Sequence, residues 1–229
     1  MANFIPATSL FLGIIPALIL LFISVKGYEK TIKQKNIFLA FIVGIIIGFI
    51  IVVVEIYYRT LPLIYFIVVF PIFEELFKTI ILNIRRLQEK PDTVFYGLTL
   101  GLGIGSVATS ASILQGTLPA GDYLGLALVV IGSCGVIMLQ GSTGIIIGYG
   151  VFRSKVSQYV LFAIVLHMIF MTGLYTTQIF FQGTAAVAYL FIAGLLLYWY
   201  STKKIMVQIL VESQRRKRTQ KEIDIKKTS

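Results

Sequence analysis

The sequence predicts an all-α, polytopic membrane protein with seven transmembrane helices. Three observations predict it: apolar stretches run almost end to end, basic residues concentrate in alternate loops, and charge inside the stretches is confined almost wholly to one of them. The 229-residue chain is 57% hydrophobic and only 13% charged, with a mean hydropathy of +0.90. A soluble domain of this size cannot hide that much apolar surface.

The first stretch, Thr8–Val25, is too long for the core of a cleaved signal peptide, and no basic stretch precedes it, so it is expected to be a span. The second, Ile37–Tyr58, carries Glu55 near its outer end, four residues before Arg59, the spacing of an i,i+4 ion pair. The third, Leu61–Ile84, holds Pro71 one turn before Glu74, which predicts a bend. The fourth, Thr93–Gln115, repeats glycine at Gly97, Gly101 and Gly105, with Gly103 between. The fifth, Tyr123–Val151, exceeds the ~20 residues that cross hydrocarbon, so it is tilted, kinked or extends past the bilayer. It carries its own glycines (Gly132, Gly135, Gly141, Gly144, Gly148) and Cys134, the single cysteine. The sixth, Gln158–Phe181, contains His167, the single histidine, and the seventh is Ala185–Tyr200.

Short loops make sequential helices antiparallel neighbours. The longest outer loop is Gly116–Asp122, with turn chemistry in Leu118–Asp122. Residues 1–203 read as one membrane domain and residues 204–229 as a basic, largely disordered cytoplasmic tail. Within that tail, Lys204–Glu212 is able to continue the last helix.

Basic residues set the orientation. Lys26, Lys30, Lys33 and Lys35 lie in the first loop, Arg85, Arg86 and Lys90 after the third span, Arg153 and Lys155 after the fifth, and nine more between Lys203 and Lys227. The opposite side holds only Arg59. Basic loops stay cytoplasmic, which puts the N-terminus outside and the C-terminus inside a cell membrane and requires an odd number of spans. The net charge of +10 thus sits on one face. Attraction to anionic lipid headgroups accounts for it, and no nucleic-acid partner is expected.

Ionisable groups inside a span are costly and point to function. Glu74, Glu75 and Lys78 share one helix, with Lys78 at i+4 and i+3 from the two carboxylates. One carboxylate is neutralised by Lys78 and the other needs a further partner. At 1.5 Å per residue, Glu74 and His167 both lie roughly 14–15 Å from the inner ends of their helices, and Gln140 about 18 Å. Glu74, Glu75, Lys78, Gln140 and His167 are therefore expected to share one polar layer. The glycines at 97, 101 and 105 form a doubled G-x-x-x-G, a surface for close helix packing against either an internal neighbour or a partner protein.

Glu-Glu-x-x-Lys in one span, a Gly-rich span opening Asp92-Thr93-Val94-Phe95-Tyr96-Gly97, and a late intramembrane histidine resemble the PrsW branch of the CAAX-protease superfamily. That resemblance implies intramembrane metallopeptidase chemistry, with Glu74, Glu75 and His167 as catalytic residues and zinc ligands. Three further family positions fall on Ala108, Gln140 and Met171 here, where the family has an acidic residue, a histidine and an aspartate. In overall organisation the chain is similar to a second, non-catalytic member of the superfamily, the anterior-pharynx-defective scaffold subunit of gamma-secretase. The likeness rests on seven spans, the Gly97/Gly101/Gly105 helix, Glu75 with Lys78, and His167. It implies a scaffold that packs a partner membrane protein, such as a presenilin-type protease, along the glycine stripe. The leading expectation is such a scaffold without a cofactor. The alternatives are a zinc-dependent peptidase and a small proton-handling transporter, whose usual paired broken helices are absent.

Overall fold

The structure is a computed structural model. It describes residues 9–28, 32–115, 122–181, 183–209 and 211–212. The tail Ser213–Ser229 and residues 116–121 of the expected outer loop lie outside these. Among the described residues all regular structure is helical: α1 (Ser9–Val25), α2 (Gln34–Tyr57), α3 (Phe70–Leu82), α4 (Asp92–Gln115), α5 (Tyr123–Phe152), α6 (Val156–Phe181) and α7 (Gly183–Tyr200).

Among the described residues, five segments are long and apolar enough to cross a membrane: Gln34–Tyr57, Asp92–Ala111, Tyr123–Phe152, Val156–Phe181 and Gly183–Ile209. The other two stretches differ for identifiable reasons. The first is short, a 17-residue helix. The third carries three ionisable groups and is interrupted by a π-helical segment, Tyr65–Val69, just before α3. Pro71 has no N–H to give the carbonyl of Ile67. The Phe70 N–H bonds back to the Tyr65 carbonyl, five residues away, so the backbone widens by one residue there. The expected bend thus takes the form of a π-turn, which resets the face on which Glu74 and Glu75 emerge. The last helix also runs on past Tyr200, through a second π-helical segment at Ser201–Met206. The expected boundary at residue 203 falls inside this continuous helical run.

α4 is the centre of the bundle. It packs against α1, α2 and α5, and every residue from Thr93 to Ala111 except Ala108 is buried. A helix enclosed on all sides has no polar face to show, and α4 has none. Glycine decides how closely its neighbours approach. A Cβ on Gly97 would overlap the Gly144 carbonyl, one on Gly101 the Gln140 carbonyl, and one on Gly105 would sit 2.7 Å from the Ile137 Cα. As the numbers rise along α4 they fall along α5, so the two helices are antiparallel with backbones in contact. On its other side, Gly103 meets Gly44 of α2 at a would-be Cβ distance of 3.0 Å. The expected stripe therefore faces an internal neighbour. It is filled by α5.

Gly101→Leu is expected to lower stability by more than about 3 kcal/mol, because the clash is with backbone that has no room to shift. Gly183→Ala, where an added Cβ meets nothing within 4 Å, is expected to stay within about 0.5 kcal/mol of the parent. Unfolding titrations in mixed micelles measure both.

Candidate functional site

α3 packs between α5 and α6. Its turn Glu74–Lys78 therefore points polar groups at two helices, and both answer with polar groups. Glu75 and Lys78 have no exposed surface, and Gln140 and His167 each retain 2%. The Lys78 ammonium donates to Glu75 Oε1 at 2.8 Å and to the Thr143 hydroxyl of α5 at 2.7 Å. His167 Nδ1 of α6 lies 2.7 Å from the same Glu75 oxygen. Thr143 in turn donates to the Gln140 carbonyl at 3.2 Å. Gln140 Nε2 donates to Glu74 Oε2.

The network extends to α2. Glu55 turns its carboxyl toward Glu74, within hydrogen-bonding reach, rather than toward Arg59. The expected i,i+4 pair fails because α2 ends at Tyr57, so Arg59 lies in the turn beyond the helical register. Polar contacts thus run from Glu55 through Glu74, Gln140, Thr143, Lys78 and Glu75 to His167, joining four helices.

Of the residues singled out by sequence, Glu75, Lys78 and His167 come together directly. Glu74 and Gln140 form a neighbouring pair on the same network. Ala108 and Met171 are apolar and supply no ligand. Thr143 and Glu55 were not anticipated. Thr143 was legible in principle, because it stands three residues after Gln140 and so shares its helix face.

Glu74, Glu75 and His167 do not converge as three ligands of one metal ion. A metal site needs carboxylate and imidazole groups converging on one point with free lone pairs. Here Glu74 turns to Gln140 and Glu55, while the contacted oxygen of Glu75 is held by Lys78 and His167. The Lys78 ammonium is already the cation of this site. Among the described residues, no three His, Cys, Asp or Glu side chains are placed to hold a metal ion. Two buried acceptors, Glu75 Oε2 and Gln140 Oε1, have no protein partner.

What the arrangement does is fix position. A buried ion pair is no bargain against apolar packing, but breaking one side of it is expensive. Any sliding or rotation of α3 against α5 or α6 separates Lys78 from Thr143 or Glu75 from His167. In comparisons with known proteins, no family model, no curated protein and no solved structure matched the chain.

Lys78→Met leaves the Glu75 carboxylate buried with only His167 beside it, at an expected cost of about 3–5 kcal/mol. Adding Glu75→Gln removes the stranded charge while keeping an acceptor for His167, and is expected to recover most of that loss. Unfolding titrations of the single and double variants read the difference.

Proposed function

We propose that the chain is a non-catalytic membrane scaffold, similar to the scaffold subunit of gamma-secretase. The single observation that carries this reading is the capture of Glu75. Among the described residues, the carboxylate most fully enclosed in the core is bound by a lysine and a histidine, as in a structural lock. The peptidase alternative requires Glu74, Glu75 and His167 to act on one point, but Glu74 is engaged by Gln140 while Glu75 and His167 bond to each other.

In this reading the chain crosses the cell membrane seven times, with its N-terminus outside and its C-terminus cytoplasmic. Five long helices supply five crossings. α1 and the helical run through α3 supply the others, the latter tolerating charge because its polar face is turned inward. Cations in alternate loops support the orientation. The Gly97/Gly101/Gly105 stripe is spent on α5, so a partner membrane protein is held on the outward apolar faces of the bundle. Large side chains such as Phe22, Phe49 and Ile80 project there. A presenilin-like protease is the class of partner that the resemblance suggests, and no cofactor is required.

Extraction from native membranes in mild detergent is expected to yield one discrete complex containing a second membrane protein in fixed ratio. That protein's activity is expected to fall when this chain is removed. Recovery of the chain alone, or chelator-sensitive cleavage of a membrane peptide by the isolated chain that is lost in Glu74→Gln, would overturn the reading.

A further inference from the structure

α2 and α3 barely touch, although both border α4, and a cleft opens between them. Its deeper part is a cavity of about 210 Å³ walled by Leu39, Ala40 and Val43 of α2, Ile81 and Leu82 of α3, and Leu100 of α4. At the end nearer the basic loops it continues into a polar mouth of about 150 Å³. Arg86, Leu87, Asn36 and Tyr96 line both compartments, so the two form one continuous slot. Lys33, Arg86 and Lys90 place three cations around the mouth, against the one carboxylate of Asp92. Between them the Asn36 amide donates to the Tyr96 hydroxyl at 3.1 Å, fixing the floor where charge gives way to hydrocarbon.

We infer that this slot is a binding site for one anionic phospholipid, with its phosphate among Lys33, Arg86 and Lys90 and an acyl chain between α2 and α3. The charge complementarity and the apolar depth point to the same amphiphile. A soluble anion leaves the hydrocarbon wall unused, and a neutral lipid adds nothing to balance the excess of cations over the Asp92 carboxylate. The site is separate from the Glu75 network and does not depend on the scaffold reading. A bound lipid also fills the gap between two helices that touch little, so it is expected to tighten the bundle.

Native mass spectrometry of the delipidated protein tests this with added dioleoyl-phosphatidylglycerol and dioleoyl-phosphatidylcholine. One phosphatidylglycerol per chain is expected to bind roughly a hundredfold more tightly than phosphatidylcholine, from three cations acting on one headgroup. The triple variant Lys33→Gln/Arg86→Gln/Lys90→Gln changes exposed side chains only and is expected to bind the two lipids equally. Val43→Phe fills the apolar end and is expected to weaken phosphatidylglycerol about tenfold while leaving the mouth charged. Equal binding of the two lipids by the unaltered chain would overturn the proposal without recourse to any variant. So would a triple variant that folds and keeps the preference, or full displacement of the lipid by millimolar glycerol 3-phosphate, which would mark a site for a soluble phosphate.

Discussion

The carboxylate of Glu75 is the constraint that joins α3, α5 and α6 in the interior of this bundle. It has no exposed surface, so its charge is affordable only if partners reach it from close range, and two do: Lys78 at 2.8 Å and His167 at 2.7 Å. Lys78 comes from the same helix, but its second hydrogen bond is to Thr143 on α5, while His167 belongs to α6. One buried charge therefore ties three helices together. Its partners cannot be removed singly without leaving an uncompensated group in a medium that solvates it poorly.

Close backbone contact is the condition for this network. Gln140 and Thr143 reach the α3 groups because α5 lies flush against α4, and it lies flush because residues 97, 101, 144 and 148 lack a Cβ. The same device repeats where Gly103 meets Gly44 and where Gly135 meets Gly194. Without an apolar–polar contrast to drive helices together in lipid, such packing and the buried hydrogen bonds are what hold a membrane bundle. The π-turn before Pro71 supplies the remaining adjustment, because it sets the rotation at which α3 delivers Glu74 to one neighbour and Glu75 to another. In a helix of uniform pitch the two carboxylates would emerge at a different angle to the residues before Pro71.

Much of this was legible in the chain because it rests on local spacing. The i+3 relation of Glu75 to Lys78 needs only helix geometry, and the similar depths of Glu74, Gln140 and His167 follow from counting residues to the helix ends. What was not legible depends on rotation and on neighbours. A glycine stripe announces close packing without saying what packs, and here the occupant is α5. Glu55 looked committed to Arg59 by spacing, but α2 ends two residues before Arg59 can join its register, and the carboxyl turns instead toward Glu74 on a different helix. The long third stretch reads as one span by hydropathy, and nothing in its composition besides Pro71 signals that its turn geometry changes at Tyr65.

Because His167 is the only histidine in the chain, its imidazole can be observed without interference in protein purified free of a histidine tag. The decisive measurement is the nitrogen-15 spectrum of the histidine-labelled protein in detergent or bilayers, recorded with chelator and then with added zinc. If Glu75 and Lys78 form a closed structural lock, Nδ1 carries a proton hydrogen-bonded to a carboxylate, and the spectrum is the same in both conditions. A ring nitrogen that loses its proton and moves to a metal-bound position on adding zinc, with about one zinc retained per chain, would contradict the account and return this layer to catalysis.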